Sequence, residues 1–322
     1  MRAAFYEVMG PARDVLRVGE VENPKPGPGE VRVRVRISGV NPSDVKSRGQ
    51  RKLLFPRVIP HSDGAGEIEA VGAGVPASRV GERVWLWNGQ WQRPSGTAAE
   101  FIVLPAEQAV SLPGNVSFEE GACLGIPAMT AYPAVELAGA NNGTTLFVSG
   151  GAGSVSQYVI QFAKARGATV ITTISSEDKA RVAREAGADH CIDYKREDVG
   201  QRVAEITGKR GVDAIIEMDL TANAKLIPAV LRSKGSVIVY GTGPEATIPS
   251  FFCLSNSILL RFFLVYQLDA EQRERAVAGI TQALEAGKLV NRVGPTFPLV
   301  DIAAAHEAVE RGTIGNVVVT VS

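Results

Sequence analysis

The sequence predicts an α/β protein in which a doubly wound parallel sheet is inserted into an antiparallel β barrel. Two rhythms lead there. From residue 1 to about 115, short β-type runs alternate with Gly and Pro punctuation, the pattern of antiparallel strands joined by turns. From about 118 to 262 the repeat becomes apolar strand, Gly turn, amphipathic helix, which is the pattern of a parallel sheet. The third observation is that too few elements follow residue 262 to build a domain of their own.

In order, the antiparallel region offers VRVRVRISGV from Val31, GEIEAVG from Gly66, RVWLW from Arg83 and AAEFIVL from Ala98. The parallel region offers TLFVSGG, a helix to Arg166, ATVITTI, a helix to Ala186, DHCIDY, VDAIIEM and GSVIVYG. The run SILLRFFLVYQ reads as a last strand, whose edge could pair with its copy in a second subunit. A helix over Ala270 to Ala286, the segment PTFPLV, a helical stretch from Ile302 and the strand NVVVTV then remain. The economical arrangement has this tail complete the first domain: residues 1–118 with 263–322 in one domain, 119–262 in the other.

Composition is that of an ordinary globular chain, with 322 residues, 45% apolar and 21% charged. Thirty-four basic residues against thirty-four acidic ones argue against a nucleic acid or anionic membrane recognised by bulk charge. No leader-like apolar core opens the chain, and the longest apolar run, Ile258 to Tyr266, is broken by Arg261 and too short to cross a bilayer, so a cytoplasmic location is expected. Cys123, Cys191 and Cys253 form no CxxC pair and no even disulfide set; they read as buried, reduced thiols.

The strongest local signal is TLFVSGGAGSVSQYVIQFAKARGATVITT. A buried β run meets a Gly-rich turn, and Val155, Val159, Phe162 and Ala163 then draw one helical stripe, with Gly167 at its end as a C-cap. Gly151 and Gly153 would let the backbone approach a pyrophosphate, whose charge is met by free N–H groups opening the helix. Ser156 replaces the third glycine of GxGxxG, and a tight turn without a ligand is the alternative reading. The next strand ends in Ser175 and Ser176, with Lys179 beyond, where an NAD reader usually carries an acid. Hydroxyls and a lysine suit the 2′-phosphate of NADPH, although Ser175 with Asp178 could also be only a helix cap, and Glu177 lies close by.

At this point the sequence resembles the zinc-independent medium-chain dehydrogenase/reductases of the quinone oxidoreductase (zeta-crystallin-like) type. The resemblance is carried by SGVNPSDVKSRG, HSDGAGEIEAVG, GTAAEFIVLP, GIPAMTAYPAV, the Gly-rich turn, AGADHCIDY, KGSVIVYG and GNVVVTV, in the family's order. It implies a Rossmann domain plus a GroES-like β-barrel catalytic domain, an active site in the cleft between them, and a homodimer. Zinc-dependent members hold their metal with Cys, His and Cys; the matching positions here are Asn41, Ser62 and Ile126, which do not suit zinc. The family's tyrosine after NP is replaced by Lys46, leaving the substrate wall open.

By resemblance, Gly151, Ala152, Gly153, Ser154 and Val155 would embrace the pyrophosphate, Ser175, Ser176 and Lys179 the 2′-phosphate, and Tyr194 the adenine edge. Gly241 and Thr242 would lie near the nicotinamide side, Asn41 and Thr130 would face its amide, Val265 and Tyr266 would pass under the cofactor, and Asn316 would approach from the returning tail. His61 and Lys46 are candidate proton donors. His190 is expected to begin a strand, and His306 to sit in a surface-type helix. The implied activity is hydride transfer from NADPH to a quinone or similar conjugated carbonyl. A 2-alkenal or enone reductase and a non-catalytic NADPH-binding protein are the alternatives.

Overall fold

A computed structural model describes residues 1–321. The chain divides into two compact units, Met1–Pro127 with Thr281–Ser322, and Ala128–Ile280. The two changeovers fall within the helices Gly125–Leu137 and Ala270–Glu285, each later in the chain than 118 and 263.

In the first unit, the eleven-residue strand Glu30–Val40 is the hub. Asp63–Val71 pairs along one side of it, while Phe101–Pro105 and Asn316–Thr320 share the other, all antiparallel. The VRVRVR alternation explains its placement, because residues two apart face the same way. Val31, Val33 and Val35 join Ile68, Val84, Leu86, Ile102 and Leu104 in the core, while on the opposite face Arg32 reaches Glu69 and Arg36 reaches Glu67. Register shifts between Arg32 and Val33 and between Val35 and Ile37 mark bulges, the device that bends a sheet. A second core gathers Ala3, Ala4 and Tyr6 with Leu299, Ile302, Ala305, Val317 and Val319, so the returning tail packs on the first residues of the chain.

In the second unit six strands are all parallel, in the spatial order His190–Asp193, Thr169–Ile174, Thr145–Val148, Val212–Glu217, Leu231–Val239, Leu259–Phe262. Strand order reverses between Thr145–Val148 and Val212–Glu217, the position at which doubly wound sheets bind ligands. Leu146, Phe147 and Val148 are buried together, as the centre of a sheet covered on both faces requires.

The observed helices Ala270–Glu285 and Ile302–Arg311 match the expected ones, and His190 opens its strand. His306 corrects the expectation of a surface helix: it is 0% exposed. Its helix presents Ile302, Ala305 and Ala308 to the second core, and His306 shares that inward face.

Candidate functional site

The second unit holds the nucleotide-type turn. Strand Thr145–Val148 ends at Ser149, the chain reverses through Gly150 with φ +62°, and helix Ser154–Ala165 begins. The three glycines differ physically. Gly150 takes a left-handed backbone; a Cβ on Gly151 would lie 2.4 Å from Thr172 Oγ1, inside the fold; Gly153 has φ −69° and ψ 153°, open to any residue, and a Cβ there would come no nearer than 3.2 Å to Gly150 O. A side chain at Gly153 would ask only a few tenths of an ångström of the Gly150 carbonyl within this unit. The first main-chain bond of the helix runs from Gln157 N to Gly153 O at 3.0 Å, so the N–H groups of Ser154 and Val155 precede the helical ladder and suit an anion.

Ser156 accounts for the missing third glycine. Its hydroxyl donates to Ser149 O at 2.9 Å and lies 3.3 Å from the Tyr240 hydroxyl, binding helix to strand where a glycine would only permit contact. Sequence reasoning missed Glu217, buried at the end of Val212–Glu217. Its Oε2 accepts from Ser149 Oγ at 2.5 Å, and its Oε1 accepts from Asp219 N at 2.6 Å and Asn223 Nδ2 at 2.9 Å. This carboxylate ties the Gly-rich turn to the loop after the fourth strand, and a lone Glu in VDAIIEM carries no sequence signal for it.

At the end of Thr169–Ile174, Lys179 Nζ donates to Ser175 Oγ at 3.1 Å. The helix cap is Ser176, whose Oγ accepts from Lys179 N, so Ser175 is not the capping residue. Tyr194 follows the adjacent strand, donates its N–H to Ile174 O at 3.2 Å and leaves its ring exposed. Exposed Lys195 and Arg196 come next, two cations beside this strand end. Gly241 lies close to Met218 O and gives its carbonyl to Leu220 N, and Thr242 Oγ1 lies 3.2 Å from Thr221 Oγ1. Thr130 and Val265 are buried, and Tyr266 is half-buried in the short turn Val265–Gln267.

The first unit gathers a separate group. Asn41 caps the helix Pro42–Gln50, with its main-chain N–H given to Asp44 Oδ2 at 2.7 Å and its side-chain Nδ2 to Asp63 Oδ2 at 2.7 Å. Both Asp63 oxygens accept from Ile126 N at 2.8 Å. Burial holds the Asp63 carboxyl well above the usual range, with the neighbouring Asp44 adding to it; burial likewise lifts Asp44 to about 7. Asn316 opens the strand paired with Glu30–Val40 in the register Val317 to Val40, and its side chain meets the buried Cys123 thiol. Burial raises that thiol, which donates to Glu119 O at 3.2 Å, so Cys123 is a packed, unreactive cysteine.

Neither candidate proton donor makes a hydrogen bond to the Asn41 amide or the Asp63 carboxyl among the described contacts. Lys46 is exposed on the helix Pro42–Gln50. His61 is 0% exposed with φ +78°, its Nδ1 is 2.8 Å from Ser38 Oγ and its Nε2 2.9 Å from His306 Nε2. Burial depresses His61 to about 3. Both ring nitrogens are engaged within the unit, and at neutral pH the ring has no spare proton to give to an acceptor molecule.

Comparison with known proteins agrees with both halves. Residues 27–114 match the alcohol dehydrogenase GroES-like domain and residues 154–281 the zinc-binding dehydrogenase domain. A quinone oxidoreductase of Pongo abelii is 30% identical over 319 residues, covering 97% of this chain and 95% of the relative. The chain belongs to the medium-chain dehydrogenase/reductase quinone oxidoreductase family. Within this family, a 2-haloacrylate reductase of a Burkholderia species is 29% identical over 99% of the chain and 98% of its own length. A mycobacterial protein solved in complex with NADPH superposes with a TM-score of 0.90 at 29% identity, covering 99% of this chain and 100% of that one.

Proposed function

We propose that this protein transfers hydride from NADPH to a quinone or a similar conjugated carbonyl, without zinc. The observation that carries the cofactor choice is Lys179 beside Ser175 at the end of the second strand of the sheet, where an NAD reader needs a free carboxylate. The nearby acids are occupied: Glu177 pairs with Arg184 at 2.7 Å and Asp178 with Arg181 at 3.1 Å. A 2′-phosphate would meet the Lys179 cation and two serine hydroxyls. The pyrophosphate would lie against Ala152 to Val155, where the absent side chain of Gly153 leaves room and two N–H groups are unclaimed by the helix.

When bound, NADPH supplies the hydride. The chain's own residues bind, orient and exclude water. In the first unit Asn41 would offer its amide to the nicotinamide side, with Asn316 on the returning tail; in the second, Thr130, Val265 and Tyr266 would serve as walls, with Gly241 and Thr242 along the sheet end. With His61 enclosed and Lys46 exposed, the reduced acceptor oxygen takes its proton from water, which a quinone permits. The donor set opposes a tetrahedral zinc: Ile126 has no side-chain ligand atom, and Asn41 turns its nitrogen to Asp63. The chain works as a cytoplasmic homodimer in this reading. The free edge of Leu259–Phe262 carries exposed Leu259 and Phe262, and the helix Ser250–Ser255 adds Phe251 and Leu254, 80% and 79% exposed.

The test is oxidation of NADPH and NADH at 340 nm with a benzoquinone, a naphthoquinone and an α,β-unsaturated ketone. Turnover of quinones with NADPH supports the proposal; turnover confined to the ketone transfers it to enone reduction, which the similarity to a 2-haloacrylate reductase favours. Binding of NADPH without any turnover leaves a cofactor-binding protein.

A further inference from the structure

Asp63 opens the strand Asp63–Val71 at 1% exposure, and the charge that bears on it is that of another acid, Asp44, not of a cation. A carboxylate without a cationic partner is an expensive group to bury, and an apolar residue would pack more cheaply. The surroundings nevertheless make room for it. A Cβ on Gly125 would fall 2.2 Å from Asp63 Oδ1 and 2.5 Å from its Cγ, closer than to any other group. What the carboxylate holds is specific: Asn41 Nδ2 and Ile126 N.

A buried hydrogen-bond chain grips the same residue from behind, and its direction can be derived. Thr97 Oγ1 donates to Asp63 O at 2.5 Å, since a carbonyl only accepts. Thr97 has then used its proton, so Ser38 Oγ, 2.7 Å away, donates to it. Ser38 in turn accepts from His61 Nδ1–H at 2.8 Å, which leaves His61 Nε2 bare and makes His306 Nε2–H the donor at 2.9 Å. The neutral His306 ring then has no proton on Nδ1, the ring atom that is buried without a partner. Every group from His306 to the Asp63 carbonyl is thus in one defined state, and the returning helix Ile302–Arg311 is tied to the start of Asp63–Val71.

We propose that Asp63 is a positioning residue of the reaction centre: its carboxylate turns the nitrogen of the Asn41 amide inward and so presents the oxygen end as an acceptor for the carboxamide N–H of a nicotinamide. Asp63 Oδ2 accepts from Asn41 Nδ2 and both carboxyl oxygens accept from Ile126 N, so the amide nitrogen is taken up by the acid and the amide oxygen is the end left for a ligand. The Ile126 N–H holds the carboxylate in plane, and the chain from His306 fixes the main chain that carries it. The inference rests on the reading that this protein binds NADPH with Asn41 at the nicotinamide.

The experiment compares wild type, Asp63→Asn, Asn41→Ala and the double variant, each titrated with NADPH and with 2′,5′-ADP, which lacks the nicotinamide, and assayed for kcat. Asp63→Asn is expected to weaken NADPH about 10-fold and lower kcat at least 10-fold while leaving the Kd for 2′,5′-ADP unchanged, and to have no further effect once Asn41 is alanine. A Kd ratio of NADPH to 2′,5′-ADP equal to that of wild type, or losses that simply multiply in the double variant, would overturn it. Should Asp63→Asn not fold, Thr97→Val, which releases the Asp63 carbonyl, is expected to raise the same ratio 3-fold or more, and an unmoved ratio overturns the inference equally. Failure of wild type to bind 2′,5′-ADP would instead count against the proposed cofactor, so the two ideas fail separately.

Discussion

Two alanine substitutions two residues apart should have opposite consequences. In Gly151→Ala the new methyl falls 2.4 Å from Thr172 Oγ1, and Thr172 cannot yield freely because it is fully buried and its hydroxyl donates to Val148 O at 2.6 Å. Overpacking of this kind costs about 1–3 kcal/mol, which lowers Tm by roughly 3–10 °C in a unit of this size. In Gly153→Ala the methyl finds nothing nearer than 3.2 Å and the backbone is already in an ordinary region. The weaker capping tendency of alanine is offset by its smaller loss of chain entropy, so stability should stay within about 1 kcal/mol. The same methyl occupies the space a pyrophosphate would need. Losing one hydrogen bond to a charged group is worth ~1.5–3 kcal/mol, a roughly 10- to 100-fold rise in the Kd for NADPH. Thermal unfolding without ligand and a fluorescence titration with NADPH separate the two. A folded Gly153→Ala protein that binds NADPH like wild type would refute the phosphate cradle, and one as destabilised as Gly151→Ala would show that the fold, not a ligand, needs the glycine.

Lys179→Ala should raise the KM for NADPH by about 10-fold or more and leave that for NADH nearly unchanged, since the lost cation faces only the 2′-phosphate; equal effects on both cofactors would contradict the assignment. Treatment with a strong chelator should leave activity unaltered, and stoichiometric zinc by elemental analysis would contradict the reading of Asn41, Ser62 and Ile126. Acid stability should respond with opposite signs at two buried groups. His61 stays neutral when folded but takes a proton below pH 6.5 when unfolded, so it withdraws stability as pH falls from 6.5 towards about 3, by about 1.4 kcal/mol per pH unit at most. Asp44 is protonated up to about pH 7 when folded and only below about 4 when unfolded, so it adds stability over much of the same range as pH falls. Relative to wild type, denaturation midpoints measured from pH 6.5 to 4 should therefore shift towards greater stability in acid in His61→Asn and towards lower stability in acid in Asp44→Asn, and identical slopes in the three proteins would defeat both assignments. Cys123 should react with a disulfide reagent only on unfolding, later than the less enclosed Cys191 and Cys253.

What was legible in the sequence follows from which forces leave a periodic trace. The central parallel strands Thr145–Val148, Thr169–Ile174 and Val212–Glu217 were readable because they are buried almost throughout and so run largely apolar, and the VRVRVR strand because one face is wet and carries charge. The Gly-rich turn was readable because a φ of +62° and close packing on Thr172 both exclude side chains. The helix Pro42–Gln50 left little trace: its mean composition is polar, and only Asn41, the proline after it and Asp44 three residues on mark its start. His306 misled because Ile302, Ala305 and Ala308 define an inward face on which a histidine reads as a surface residue until its partner, 245 positions earlier in the chain, is known.

The buried acids Asp63 and Glu217 were illegible for a related reason. Each lies at a strand terminus, where alternation has ended, and each acts through main-chain N–H groups that have no side-chain signature: Ile126 N for one, Asp219 N for the other. In both units a buried acid thus orders main-chain N–H groups and neighbouring polar side chains: Asp63 holds Ile126 N and Asn41 Nδ2, and Glu217 holds Asp219 N and Ser149 Oγ. A substitution such as Ile126→Val would leave the Asp63 contact intact, because it is the main chain that donates, whereas Gly125→Ala, which changes no polar atom at all, would drive a methyl into the carboxylate at 2.2 Å. That inversion, in which the residue without a functional group is the less replaceable, is what an arrangement built on a buried carboxylate and its cleared space requires.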